Sequence, residues 1–139
     1  AVWNRTASKA KSLAAELGIV RANDLEELAR CCDVILTCVS ADSDLLNVID
    51  ALMPGLSAGK LVIDTSTVQP ATAEAIAQHL ANVGCDFLDA PVSGGVEGAR
   101  NATLAIMVGG TVANVERARP VLNAITPKPC GFPLRLSPE

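Results

Sequence analysis

The chain has one histidine, His79, and its five cysteines, Cys31, Cys32, Cys38, Cys85 and Cys130, fall in no paired CxxC spacing. Zinc centres are built from such pairs or from several histidines, so no metal site is assigned. The cysteines read instead as small buried apolar residues, their thiols free in a reducing compartment. Long apolar runs are also missing. None approaches the roughly 20 residues that span a bilayer, and the opening AVWNRT has neither a charged n-region nor an apolar h-region. A cytoplasmic location is the expectation, with a mitochondrial or plastid matrix as the other compartments that suit it. The 11 basic residues are scattered and the net charge is −4, which argues against nucleic acid or an anionic membrane as a partner. A small molecule or another protein is left.

What the chain does have is apolar content. Of its 139 residues 50% are hydrophobic and 19% charged, enough to bury the core of a single domain. Val2 and Trp3 read as the end of a strand. Ala10, Leu13, Ala14 and Leu17 then fall at helical spacing, with Thr6 or Ser8 as cap and Gly18 as stop. Ile19 and Val20 suggest a short strand, and Asp24 opens a short helix carrying Leu25, Leu28 and Ala29 on one face. Residues 33–39 are apolar in succession, as in a strand covered on both faces of a parallel sheet. The alternation continues with a helix over about 42–57, a strand over 60–64 and a helix from Pro70 toward Gly84. A strand over 85–88, another over 103–108 and a last helix through Val115, Ala118, Leu122 and Ile125, with Pro120 placed to kink it, complete the series. Strands alternating with helices imply an α/β doubly wound parallel sheet.

The polar residues collect just past the C-terminal ends of these strands: Asn4, Arg5 and Thr6; Ser40; Thr65, Ser66 and Thr67; Ser93, Gly94 and Gly95. Open α/β sheets bind ligands along that edge. The Ser93, Gly94, Gly95 turn follows Asp89 and Pro91, and its adjacent glycines allow backbone N–H groups to converge on an anion, a carboxylate or a phosphate.

The runs NRT, VILTCVS, VIDTSTVQP, FLDAPVSGGVEGA and TLAIMVGG resemble, in order and spacing, the β-hydroxyacid dehydrogenase family, to which 3-hydroxyisobutyrate dehydrogenase and, more distantly, 6-phosphogluconate dehydrogenase belong. The resemblance covers about residues 1–125. It implies a Rossmann-like NAD(P)-binding domain of an oxidoreductase that moves a hydride between a nicotinamide cofactor and a small 3-hydroxy acid or semialdehyde. By position it places Asn4, Arg5 and Thr6 at the adenosine ribose, Val39 and Ser40 along the pyrophosphate and ribose path with Asp44 nearby, and Thr67 at the nicotinamide end. Ser93, Gly94 and Gly95 match the substrate carboxylate site. Arg5 offers a guanidinium suited to a 2′-phosphate, which favours NADP over NAD.

The resemblance also marks departures. Nothing matches the family's first strand and GxGxxG turn, since the chain opens within what corresponds to the second strand. A sheet lacking that first strand and its glycine loop is expected, with two interior edges unpaired and poor stability for the piece alone. Residues 126–139 form a divergent proline-rich tail. Lys128, set among prolines, does not match the helix that carries the family's catalytic lysine, and no catalytic residue is assigned. Asn101 and Ala102 stand where family members commonly have a glycine. Two other readings stay open. One is a noncatalytic dehydrogenase-like module for oligomerisation or protein binding; the other is a nonfunctional truncated product.

Overall fold

The computed structural model describes residues 1–126; the proline-rich tail expected beyond them, with Lys128 and Cys130, lies outside the described residues. Three parallel strands, β1 (Val34–Thr37), β2 (Leu61–Asp64) and β3 (Asp86–Asp89), lie side by side in that order. Val34, Leu61 and Asp86 align at one end and Thr37, Asp64 and Asp89 at the other. Parallel neighbours need long crossovers. Here α3 (Asp42–Leu52) leads from β1 to β2 and α4 (Pro70–Ala81) from β2 to β3. Ahead of them, α1 (Ala7–Leu17) and α2 (Leu25–Cys31) open the chain.

The central strand β2 is buried along its whole length because both faces are covered. Val62 packs into a cluster with Ile35, Leu45, Ile49, Leu52, Ile76 and Leu80, contributed by β1, α3 and α4. Its neighbours Leu61 and Ile63 turn to the opposite face, where Leu88, Ile106, Val108, Val115 and Leu122 meet them. That second face is closed by α6 (Val112–Ile125). Alternate side chains of a strand point to opposite faces, so an unbroken apolar run is what a two-sided burial requires. The expected α/β, Rossmann-like parallel arrangement is present.

Several expectations change at the margins. Ile19 and Val20 form no strand: Val2 makes only an isolated parallel bridge to Arg21, with Val2 N–H donating to Val20 O and Ala22 N–H to Val2 O. Gly18 ends α1 in the left-handed region and Asp24 already caps α2, which leaves too few residues for a ladder. The helix expected over 42–57 stops at Leu52 and tightens into a 3₁₀ turn, Met53–Gly55. There Pro54 cannot donate to the preceding turn, and Gly55 comes so close to α2 that an added Cβ would lie 2.2 Å from the Glu26 carbonyl oxygen. The helix α6 runs continuously across Pro120.

The largest change concerns residues 103–108. Only Ala105–Ile106 (β5) is strand, and it pairs antiparallel with Val92–Ser93 (β4), while Gly109 bridges Asp89 antiparallel. The six-residue helix α5 (Gly95–Arg100) between them is too short for a parallel crossover, so the chain turns back on β3. Ala102 closes this excursion at φ 51°, the single non-glycine residue of positive φ among the described residues. It stands in the turn where a glycine was expected from the resemblance.

Candidate functional site

The sheet's C-terminal edge opens onto a crevice of about 470 Å³ between the residues ahead of α1, the exit of β1 and the first turns of α3. This is the size of an ordinary small-ligand pocket. Its floor is apolar, built from Trp3, Ile35, Leu25 and Leu52, and it runs along the side of β1 that no strand covers among the described residues. Leu36 is 43% exposed there. The open edge expected beside this strand is thus a wall of the crevice.

The mouth is polar. Asn4, Arg5 and Thr6 lie on one side; Val39, Ser40 and Asp44 lie on the other. Six of the residues singled out in the sequence as cofactor contacts therefore come together, although 39 positions separate Arg5 from Asp44. These two close the mouth as an ion pair, Arg5 Nη1 to Asp44 Oδ1 at 3.2 Å, with 82% of the Arg5 side chain still exposed. Thr6 is the N-cap residue of α1, but its side chain makes no capping bond; Asn4 Oδ1 instead accepts the Thr6 N–H at 2.8 Å. With no acid in its first turn and with Lys9 also lining the crevice, the positive end of α1 is suited to an anion. The start of α3 differs, since Asp42 and Asp44 occupy its first turn.

Thr67, Ser93, Gly94 and Gly95 do not line this crevice. Ser93 belongs to β4. Gly94, at φ 134°, is the N-cap of α5 and Gly95 follows at φ 60°, a turn that favours glycine at both positions. Among the described residues no glycine lines the crevice either. The thiols also depart from the buried reading: Cys85 is buried, but Cys31 at the end of α2 and Cys38 at the crevice rim are exposed.

Beneath the rim lies a polar network that the strand patterns did not reveal. Asp64, the last residue of β2, is fully buried. Its Oδ1 accepts hydroxyl hydrogen bonds from Thr37 at 2.6 Å and Ser66 at 2.8 Å, and its Oδ2 has no partner among the described residues. The Ser66 oxygen in turn accepts the Val39 N–H at 2.9 Å. Thr65 donates both its N–H and its hydroxyl to the Thr37 carbonyl, at 2.9 and 2.7 Å. Burial pushes the Asp64 carboxyl above its ordinary range, an effect the Thr37 and Ser66 hydroxyls oppose. Asp89, in register beside it, is raised first by burial and then by the Asp64 charge. Asp42 moves the other way, because the Thr72 hydroxyl and the Gln69 amide both donate to it and tie the starts of α3 and α4 together. The signal for Asp64 was available: an acid closing a buried apolar strand must find donors, and three hydroxyl residues follow it.

Comparison with known proteins agrees with this geometry. The chain is 39% identical over 116 residues to the 3-hydroxyisobutyrate dehydrogenase of Pseudomonas aeruginosa, covering 78% of this chain and 39% of that protein. Its fold matches the Mycobacterium tuberculosis 3-hydroxyisobutyrate dehydrogenase structure with L-serine at TM-score 0.85 and 32% identity, over 95% of this chain and 44% of that one. A structure described as Psf3 in complex with NADP+ and 2-OPP matches at TM-score 0.85 and 33% identity, over 99% of this chain and 48% of that one. The chain thus spans less than half the length of these relatives. Among the described residues no helix is long and apolar enough to cross a membrane. The family profile described as the NAD binding domain of 6-phosphogluconate dehydrogenase matches residues 1–131, and the chain belongs to that family of nicotinamide-dinucleotide-binding domains.

Proposed function

We propose that the crevice holds the adenosine end of a nicotinamide dinucleotide and prefers NADP(H) to NAD(H). The observation that carries this reading is Arg5, an exposed guanidinium at the acid-free start of α1, facing Val39, Ser40 and Asp44 across the mouth. Arg5 is suited to a 2′-phosphate through charge-assisted, paired hydrogen bonds. Asn4 and Thr6 serve the ribose, Asp44 accepts from its hydroxyls, and Val39 and Ser40 line the path toward the pyrophosphate. Thr67 stands for the nicotinamide end, and Ser93, Gly94 and Gly95 for the carboxylate of the substrate.

In the longer protein the bound cofactor supplies or takes up a hydride, and the partner substrate is a small 3-hydroxy acid or semialdehyde. The relatives named as 3-hydroxyisobutyrate dehydrogenases support that substrate class. The described residues contribute binding and orientation. A reducing compartment, the cytosol first, suits the free thiols.

Thermal unfolding of the chain with and without saturating NADPH and NADH tests the reading. A ligand that binds only the folded state raises the transition by RT ln(1 + [L]/Kd), about 2.7 kcal/mol at 100 times Kd. A cooperative transition raised more by NADPH than by NADH is expected. A transition indifferent to both nucleotides refutes dinucleotide binding by this chain.

A further inference from the structure

The buried carboxylate of Asp64 is an expensive way to fill the end of β2. A buried ionisable group is costly to desolvate, and apolar residues of similar volume commonly serve folding as well or better. Its hydrogen bonds show a different use. Asp64 Oδ1 draws the Ser66 hydroxyl proton toward itself, which leaves the Ser66 oxygen free to accept the Val39 N–H on the other strand's exit. Thr37 approaches the same Oδ1 from β1, and the two bonds from Thr65 to the Thr37 carbonyl lock the exits together one step deeper. Thr37 and Val39 carry this network to the crevice, and Val39, beyond the strand, is followed by Ser40, which lines the mouth opposite Arg5.

We infer that Asp64 is a positioning residue for the crevice, acting through Ser66 to fix the Val39 amide and with it the Val39 and Ser40 rim. A carboxylate does this because it is acceptor-only and can hold two hydroxyls at one oxygen, so the Ser66 hydrogen has a single direction to point. Burial favours a proton on this carboxyl group, and Oδ1 remains an acceptor when Oδ2 carries it. Asparagine reproduces that acceptor; leucine does not.

The affinity arm of the test rests on the dinucleotide reading above, whereas the exchange arm does not. Amide hydrogen exchange at Val39 and Ile63, with Kd for NADPH, is measured on the full chain and on Ser66→Ala, Asp64→Leu and Asp64→Asn. Ser66→Ala and Asp64→Leu should speed Val39 exchange at least tenfold and weaken NADPH at least fivefold while Ile63 exchange holds. Asp64→Asn should stay within twofold of the original chain on both readouts. Unchanged Val39 exchange in Ser66→Ala overturns the inference, and so does faster exchange with unaltered NADPH affinity. Acceleration at Val39 and Ile63 alike overturns it too, since a merely structural role would loosen both. Should Asp64→Leu not fold, Ser66→Ala decides by the same criteria. An original chain that binds neither NADPH nor NADH refutes the dinucleotide reading, and the Val39 response then decides the relay alone: acceleration supports it and its absence overturns it.

Discussion

Removing the Arg5 guanidinium as Arg5→Ala should separate the two cofactors, and the structure bounds the effect. A hydrogen bond to a charged group contributes about 1.5–3 kcal/mol. Arg5 is not idle in the free chain, however, because Asp44 holds it at 3.2 Å. An exposed pair of this kind contributes about 0.2–1 kcal/mol, and a 2′-phosphate must displace or share it. The net loss for NADPH is therefore about 0.5–2.8 kcal/mol, roughly 2- to 100-fold in Kd. NADH, without the phosphate, should change less than about twofold. Asp44→Asn keeps an oxygen for the ribose hydroxyl while releasing Arg5 from its charged competitor, and should tighten NADPH by up to about fivefold with no gain for NADH. Fluorescence titration of both reduced cofactors against the chain and the two variants measures all of these constants. Equal losses for NADPH and NADH in Arg5→Ala would refute the assignment of Arg5 to the phosphate, and no NADPH gain in Asp44→Asn would refute the competition.

Three further outcomes are expected from the fold. Ala102→Gly relieves a left-handed alanine at φ 51° and should stabilise the chain by about 1 kcal/mol, raising Tm by roughly 3–6 °C in a thermal scan. Gly55→Ala drives a Cβ against the Glu26 carbonyl and the Ala29 side chain, and a urea titration should show a loss of about 2–3 kcal/mol. For pH, Asp64 and Asp89 bind protons more tightly when folded than at their ordinary value of 3.8, so their share of stability falls as pH rises from about there through their folded values. Asp42 has the opposite sign and its contribution disappears as pH drops below the ordinary range. Urea midpoints across pH 4–8 should decline less steeply with pH in Asp64→Asn; an identical slope would mean that Asp64 titrates alike in the folded and unfolded chain.

The repeating elements and the edge on which a ligand sits were readable from residue order. Unbroken apolar runs such as Leu61, Val62 and Ile63 demand cover on both faces, and helical spacing between them supplies it. A parallel sheet then puts every strand exit on one side, which is why Arg5, Val39 and Asp44 could be grouped before any coordinates. Short-range patterns failed where the outcome hung on partners. Residues 103–108 carry a strand's composition, but direction depends on the length of the return path, and α5 made it antiparallel. The glycine pair at Gly94 and Gly95 reads the same whether it cradles an anion or turns a chain; its φ values of 134° and 60° describe the turn and do not bear on the anion. Asp64 looked like the polar end of a strand. Its burial, its two hydroxyl donors and its unpartnered oxygen arise from residues on another strand and the following loop, a convergence that only packing brings about.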